Sequence, residues 1–545
     1  MPRYKCGMLR DLLTDSLNDL ATDVAIVGAG VAGQTLAISL LDAGHAVVLL
    51  EAGGRDFDAR AQAAVAGFNA GHAYYDLETT RLRLFGGTAA IWGGRCAELD
   101  PIDFEERDYL AHSGWPIGKG DLDRHYADVF AELGLERPGH GRLWAATGTR
   151  APGFDAEKLD ADMWVFDEDG ERFTDTARRG LERATTVLNA PVTAIAVNDQ
   201  GAVERLVATS LSGKTVRVKA RAFVLAAGAI DTVRLLLGNV PARPGGLGNE
   251  RDVLGRYFME HPHARGGRIA PLTAKGDDLA KLLMLLPRAR RVGGKRYAAY
   301  ARPAEALQRE RGILNTSLSL APRRHEGEKV ETFRAVSNKL KHDLPSSRFW
   351  RSSYKAVKGL AVKGLEWTDP WSSVLNMKVS DKLGLYAVIR AEQAPNPASR
   401  VTLSDEVDAL GSRLPVLDWR FLPIDKRSVR VLMETLGGEL ERMGLGTVEP
   451  ASWLHDAGVD WASDPLISAH PIGGYHHMGG ARMGVDPGTS VVDANCRLHA
   501  APNCFVAGSA VFPTSGWANP TVTIMALAKR LGEHLDRRLA GGGLA

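Results

Sequence analysis

The chain has few cysteines and no excess of charge of either sign. Its 545 residues include four cysteines, and 67 basic residues balance 65 acidic ones to a formal net charge of +2. The cysteines, Cys6, Cys96, Cys496 and Cys504, show neither CxxC spacing nor a disulfide framework, and no paired Cys/His spacing suggests zinc. We therefore expect a reducing, cytoplasmic compartment and no metal site.

Long apolar runs are also missing. No stretch of 18 apolar residues exists, which argues against a membrane span, and charges throughout the first 23 residues argue against a secretory leader. Because positive and negative charges balance, the protein has no overall electrostatic field that would attract nucleic acid or an anionic membrane. Hydrophobic residues still make up 45 % of the chain. That is enough for a large core and for two or more domains.

A strand, a glycine-rich turn, a helix and a second strand follow one another near the amino terminus. The first strand ends at Gly28-Ala-Gly30-Val-Ala-Gly33, and the second covers 46–50. In a dinucleotide-binding unit Gly28 allows the tight turn, Gly30 lets the backbone approach a pyrophosphate, and Gly33 lets the helix pack close to the sheet. Free N–H groups at the helix start then hold the phosphates.

An acidic residue ends the second strand at the spacing that this unit requires. Glu51 lies 23 residues after Gly28. A carboxylate there accepts hydrogen bonds from both ribose hydroxyls and repels a 2′-phosphate. The pattern predicts a bound dinucleotide, although it does not separate FAD from NAD.

Four blocks in a fixed order resemble the glucose–methanol–choline (GMC) oxidoreductases, a family of FAD-dependent alcohol and sugar oxidoreductases. They are the glycine-rich unit with Glu51, the glycine-rich segment 85–95, the segment 223–234, and a carboxy-terminal block. That last block contains YHHMGGARMG at 475–484 and GSAVFPTSGWANPT at 508–521. The motifs that end these two segments, HxxGGxRMG and GWANPT, are most similar to those of bacterial sugar-oxidising and pyranose-oxidase-like members.

The resemblance implies an α/β protein of two domains. A Rossmann-like FAD-binding domain, with a parallel sheet and a three-stranded meander, would comprise 20–264 and 466–545. An α+β substrate domain on a mostly antiparallel sheet would comprise 265–465. The meander is predicted at 186–195, 204–210 and 215–219. Further strands are predicted at 312–320, 385–391, 399–403 and 415–419, and a helix at 432–443.

The resemblance also implies where FAD binds. Some family members attach FAD covalently through a histidine just before the Trp92 position, but this chain has Ile91 there. We therefore expect non-covalent FAD, with the backbone of Val192 against the adenine. The predicted cofactor-binding residues are Gly28, Gly30, Gly33, Glu51, Gly87, Thr88, Trp92, Gly93, Val192, Ala227, Gly508, Ser509, Pro520 and Thr521.

Two residues of the carboxy-terminal block are the predicted catalytic pair. The family's catalytic histidine aligns with His476, and Asn519 falls where the family has a second histidine or an asparagine. A neutral imidazole can take the alcohol proton while hydride leaves for flavin N5. A carboxamide can orient the alcohol oxygen. We expect His477 to serve structure, and Asn519 also to cap a helix that begins at Pro520.

Residues 323–363 are distinctly basic, with eleven Lys/Arg against four Asp/Glu. The sequence alone leaves open a solvated helical insertion at about 323–365, a lid, an oligomer contact, or a membrane-surface or nucleic-acid contact.

We expect an FAD-dependent enzyme that oxidises a primary or secondary alcohol of a sugar, glycoside or related polyol. The electron acceptor, O₂ or another molecule, is left open, as is an oligomeric state. The alternatives are the same chemistry on a sterol or other bulky alcohol, a non-redox lyase that cleaves cyanohydrins, and a nicotinamide-dependent dehydrogenase.

Overall fold

The structure is a computed structural model that describes residues 8–139, 141–169, 171–272, 276–325, 375, 377, 382–468 and 470–542. The described strands are β1 (Leu9–Asp11), β2 (Leu20–Val27), β3 (Val47–Leu50), β4 (Phe68–Asn69), β5 (Arg95–Cys96), β6 (Leu159–Phe166), β7 (Thr185–Leu188), β8 (Val192–Val197), β9 (Val203–Thr209), β10 (Thr215–Leu225), β11 (His263–Pro271), β12 (Arg290–Val292), β13 (Lys295–Pro303), β14 (Ser317–Arg324), β15 (Leu383–Arg390), β16 (Arg400–Val407), β17 (Arg413–Asp418), β18 (Gly446–Pro450) and β19 (Cys504–Val506). The described helices are α1 (Val31–Asp42), α2 (Ala59–Ala63), α3 (Leu77–Thr80), α4 (Pro101–Phe104), α5 (Asp123–Leu133), α6 (Arg142–Ala146), α7 (Ala229–Gly238), α8 (Gly276–Leu285), α9 (Glu305–Arg311), α10 (Pro423–Arg442) and α11 (Thr521–Ala540).

The first sheet has a parallel centre in the order β1-β7-β3-β2-β10. β19 continues it beside the carboxyl half of β10, whereas the amino half of β10 pairs antiparallel with β9, and β9 with β8. The carboxyl half of β2 and all of β3 are apolar and buried, as expected for a parallel sheet covered by helices. Helix α1 packs against β2, β3 and α11. The predicted Rossmann-like α/β domain with its meander is confirmed.

One predicted strand of the meander is wrong. The segment 186–195 is two strands, because β7 joins the parallel sheet and only β8 enters the meander. The break lies at Asn189, whose φ is 52°, a left-handed conformation that asparagine tolerates better than most residues. Pro191 follows and has no N–H for a strand ladder.

The second sheet is antiparallel throughout, in the order β18-β11-β15-β14-β13-β6-β5, with β12 beside β13. Two of its strands, β5 and β6, come from chain that the sequence analysis assigned to the FAD-binding domain. The division at 264 and 265 therefore does not separate the strands of the two large sheets, although the predicted α+β character holds.

A third sheet, in the order β16-β17-β4, contains the predicted strands at 399–403 and 415–419. The predicted helix at 432–443 is the second half of α10, which begins at Pro423. Asp425 holds this earlier start, because its buried carboxylate accepts hydrogen bonds from the backbone N–H groups of Leu422 at 2.7 Å and Ala394 at 2.8 Å.

Most of the basic segment 323–363 lies outside the described residues, which include only 323–325 of it. Cys96, Cys496 and Cys504 are free and buried, and Cys6 lies outside the described chain. Within the described residues, no helix is long and apolar enough to cross a membrane. That same part of the chain holds no group of three or more histidine, cysteine or acidic side chains arranged for a metal ion.

Candidate active site

A cavity of about 780 Å³ opens at the carboxyl ends of the parallel strands. Gly28 follows β2, Glu51 follows β3, Ala227 lies just after β10 and Ala507 follows β19, and all four line the cavity. Open α/β sheets bind their ligands in this crevice. The volume lies in the upper part of the range of about 300–1,000 Å³ that is typical of small-molecule and cofactor pockets.

The glycine-rich turn fits a bound pyrophosphate. A Cβ atom on Gly28 would lie 2.5 Å from the Ala226 carbonyl oxygen, and one on Gly33 would lie 1.9 Å from the Gly28 carbonyl oxygen. These two glycines are required by close backbone packing. Gly30 differs, because a Cβ atom there would meet no atom within 4 Å. Its open side, at the start of α1, leaves room for a phosphate against free N–H groups.

Glu51 braces the same turn. Its carboxylate oxygens accept hydrogen bonds from the backbone N–H groups of Ala29 at 2.9 Å and Gly53 at 2.8 Å. Burial raises the pKa of Glu51 to about 7, and these two hydrogen bonds oppose that rise. A carboxylate has about four acceptor positions, so two remain for the hydroxyls of a ribose.

The remaining predicted residues lie around the same space. Of the fourteen predicted cofactor-binding residues only Gly33 is absent from the cavity wall, because it packs against Gly28 inside the turn. Ile91 also lines the cavity, at the position where some family members carry the histidine that bonds FAD. The wall residues from the predicted set are Gly28, Gly30, Glu51, Gly87, Thr88, Trp92, Gly93, Val192, Ala227, Gly508, Ser509, Pro520 and Thr521.

His476 and Asn519 meet at the cavity wall. The Asn519 Nδ2 and His476 Nε2 atoms are 3.0 Å apart, and both residues are half-buried. The helix that follows begins at Thr521 with Pro520 before it, and no side-chain hydrogen bond caps this described helix start. The prediction that Asn519 caps the helix is therefore wrong, since its amide nitrogen contacts the imidazole instead.

A chain of hydrogen bonds fixes the tautomer of His476. His261 Nε2 lies 2.8 Å from the Gly516 carbonyl oxygen, which only accepts, so this nitrogen carries the proton. Burial lowers the pKa of His261 to about 4, so the ring is neutral and its Nδ1 is an acceptor. Nδ1 of His476, 2.9 Å away, must then donate to it. The Nε2 atom of His476 is left with a free lone pair, into which Asn519 donates.

The surroundings keep His476 neutral. Its pKa lies well below the ordinary value, first because of burial and then because of the neighbouring histidines, with His261 the largest contributor among them. A neutral imidazole with an unprotonated Nε2 at a cavity wall is equipped to accept a proton.

A buried carboxylate positions the backbone of this loop. Both carboxylate oxygens of Glu260 lie within 3.0 Å of the His476 backbone nitrogen, and Glu260 also accepts from Tyr74 Oη at 2.5 Å. Tyr74 Oη is in turn 3.0 Å from His477 Nε2. His477 thus joins a buried hydrogen-bond network with Tyr74 and Glu260.

Sequence reasoning did not single out Glu260, His261 or Tyr74. Glu260-His261-Pro262-His263 is a compact titratable run in the sequence and was a signal available for the first two. Tyr74 carries no local signal, because its partners lie 186 and 403 residues away in the chain.

Comparison with known families gives the fold and site their context. Residues 23–338 match the family described as FAD dependent oxidoreductase, and residues 395–528 match the family described as GMC oxidoreductase. The chain belongs to the FAD dependent oxidoreductases and carries the GMC oxidoreductase carboxy-terminal domain. It is an FAD-dependent enzyme that acts on alcohol groups.

Its curated relatives include oxidases of Streptomyces and Microbacterium. Paromamine 6'-oxidase of Streptomyces fradiae is 24 % identical over 94 % of this chain and 91 % of that protein. C-glycoside 3-oxidase of Microbacterium trichothecenolyticum is 32 % identical over 25 % of this chain and 24 % of that protein. Among solved structures, pyridoxine 4-oxidase from Mesorbium loti has a TM-score of 0.54 at 17 % identity and covers 94 % of this chain and 98 % of its own. That likeness supports the fold.

Proposed function

We propose that this GMC oxidoreductase oxidises an alcohol group of a sugar, glycoside or related polyol, with His476 as the base and Asn519 as the residue that orients the alcohol oxygen. The observation that carries the proposal is the 3.0 Å contact between His476 Nε2 and Asn519 Nδ2 on the wall that also holds the glycine-rich turn. Two relatives, a paromamine oxidase and a C-glycoside oxidase, support a carbohydrate substrate.

The chain's own groups perform the proton transfer. A substrate hydroxyl would take the place of the Asn519 N–H at the His476 lone pair, donate its proton to Nε2, and accept a hydrogen bond from Asn519 Nδ2. FAD, when bound, supplies the acceptor for the hydride that leaves the carbon bearing that hydroxyl. Because the His476 pKa is held low, the imidazole is ready as a base at neutral pH without first losing a proton.

Several of the chain's features support the arrangement of the cofactor. Gly28, Gly30 and Glu51 would hold its pyrophosphate and ribose, and the start of α11 would present a positive helix end to the flavin. Ile91 at the cavity wall supports non-covalent attachment, because an isoleucine side chain has no atom that could bond the ring. Free, buried thiols support the expected cytoplasmic location.

The test is an anaerobic screen that follows the flavin absorption band of the purified holoenzyme. The panel contains sugars, glycosides, polyols, sterols and cyanohydrins, and an oxygen electrode then identifies O₂ or another acceptor. Bleaching by carbohydrates is the expected result. Bleaching by sterols alone would replace the proposed substrate class. Cyanohydrin cleavage without bleaching would assign the lyase reaction instead.

A further inference from the structure

Two of the arginines on the cavity wall have no acidic partner in the part of the chain that the structure describes. Arg95 belongs to β5 and Arg390 ends β15, so both come from the antiparallel sheet and both line the cavity. Among the described residues, no carboxylate lies within 4.0 Å of either guanidinium. Arg81 and Arg234 line the same cavity, and each pairs with an aspartate at 2.8 Å.

Packing, not charge pairing, holds these two guanidiniums. They lie 5.5 Å and 5.4 Å from the centre of the buried Trp164 ring, a cation–π distance. The Arg390 side chain donates one hydrogen bond, to Ser319 Oγ at 3.1 Å. Arg95 Nε is buried with no hydrogen-bond partner in the described structure. Each guanidinium has five N–H donors, and among the described residues one donor of the ten makes a hydrogen bond.

The arrangement is electrostatically unfavourable until an anion enters. Burial first, and then the charges of Arg95 and Arg323, hold the pKa of Arg390 well below its ordinary range. Burial and the charge of Arg296 lower the pKa of Arg95 to about 10. Placing unpaired like charges together in a partly desolvated wall costs free energy that a bound carboxylate or phosphate would recover.

The pair lies on the His476 side of the cavity. Arg390 is the register partner of His263 on β11, two residues after His261, whose ring contacts His476 at 2.9 Å. The Trp164 ring that both guanidiniums approach has its centre 6.1 Å from that of Trp517, two residues before Asn519. The glycine-rich turn that fits a pyrophosphate belongs to the other sheet, at the start of α1. An anion at the arginine pair is therefore a separate group from the cofactor phosphates.

We propose that the substrate carries an oxyanion, a carboxylate or a phosphate, which binds between Arg95 and Arg390 while its alcohol lies at His476. Planar guanidiniums bind both groups through paired N–H donors. This inference rests on the proposed function and narrows it to acidic sugars and acidic glycosides.

Matched substrate pairs test the proposal in the holoenzyme. Methyl glucoside is compared with methyl glucuronoside, and glucose with glucose 6-phosphate, by the anaerobic rate of flavin reduction. One acidic member should exceed its neutral partner in kcat/KM by about 30-fold or more, as expected for a desolvated charge pair. The two pairs separate a carboxylate from a phosphate.

Variants of Arg95 and Arg390 test whether these two residues cause the preference for acidic substrates. In Arg390→Gln and Arg95→Gln the KM of the acidic substrate should rise about 30-fold, while that of the neutral one stays within about 2-fold. Arg390→Lys keeps the charge and should retain part of the preference. Arg420→Gln is the control, because Arg420 is exposed and pairs with Asp418 on the surface.

A binding measurement needs no turnover. Glucuronate or inorganic phosphate should raise the Tm of the wild-type holoenzyme more than glucose does, and Arg390→Gln should remove that difference. Equal shifts for glucose and both anions would overturn the inference. So would variants that slow neutral and acidic substrates alike, or that change the flavin spectrum, since the arginines would then serve the cofactor. Reduction by neutral sugars alone would refute this inference but keep the proposed function, whereas sterol-only reduction would refute both.

Discussion

Replacing His261 with leucine should slow flavin reduction while FAD stays bound. His261 Nδ1 is the acceptor for His476 Nδ1–H at 2.9 Å, and together with the Asn519 Nδ2 donor at Nε2 it specifies which imidazole nitrogen carries the proton. Leucine fills similar space but cannot accept. Once a substrate hydroxyl displaces the Asn519 N–H, the His476 ring of the variant can place its proton on Nε2, where it can no longer act as a base toward the alcohol.

The expected size follows from the hydrogen bond that is lost. A bond between neutral groups contributes about 1 kcal/mol, with a range of roughly 0.5–1.5 kcal/mol, and about 1.4 kcal/mol corresponds to a factor of ten. The productive tautomer should therefore become about 3- to 10-fold rarer, and the rate of flavin reduction should fall by the same factor. Substrate affinity should stay within about 2-fold of wild type, because His261 lies behind the imidazole.

Anaerobic stopped-flow at saturating substrate measures this rate. His261→Asn is the matched control, because the asparagine Oδ1 can take the place of the imidazole Nδ1 as acceptor. It should recover most of the lost rate. A wild-type rate in His261→Leu, or an equal loss in the leucine and asparagine variants, would refute the tautomer argument.

Three further predictions concern the same site. His476→Ala should keep FAD but lose about 10²- to 10⁴-fold in flavin reduction; near-normal bleaching would remove His476 from the mechanism. Burial raises the pKa of Glu260 from 4.5 to about 7, so protonation of its carboxyl group stabilises the folded state. This stabilisation is complete below pH 4.5 and is lost as the pH rises through 7. In Glu260→Gln the Tm should therefore vary less with pH between about 5 and 7 than in wild type; an unchanged profile would contradict the assignment. Acid precipitation should release the yellow colour into the supernatant, whereas colour kept in the pellet would show covalent FAD.

The parts of the fold that local sequence patterns specify were predictable. The strand, turn and helix from β2 to α1 combine a buried apolar run with glycines that close packing requires. The local sequence is therefore enough to predict this unit. The prediction of a single meander strand at 186–195 was wrong because an apolar run alone does not show that the chain turns at Asn189. At that turn the chain leaves the parallel part of the sheet and enters the meander. β6 joins the antiparallel sheet by pairing with β13, about 130 residues later in the chain, and β5 joins it by pairing with β6, so nothing local encodes the position of either strand in that sheet.

The residues of the candidate site likewise differ in whether the sequence could predict them. His476 and Asn519 sit in segments whose resemblance to a family marks them, and the structure places their side chains in contact. Arg390 lies in no such segment, and Arg95, although it ends the family-like segment 85–95, was not among the predicted site residues. Their role depends on two distant strands, β5 and β15, which bring both guanidiniums to one tryptophan ring with no carboxylate within 4.0 Å among the described residues.

In the proposed mechanism, the hydrogen-bond chain behind His476 also limits where the alcohol proton can go. It runs from His476 Nδ1 to His261 Nδ1, and from His261 Nε2 to the Gly516 carbonyl oxygen, and a peptide carbonyl does not take up a proton at neutral pH. A proton accepted at His476 Nε2 therefore cannot be passed onward through His261. It makes the His476 ring cationic and turns its bond to His261 into a stronger, charge-assisted one. The proton must leave from Nε2 into the cavity after the product has gone, so the imidazole is regenerated by the solvent path that the substrate itself uses.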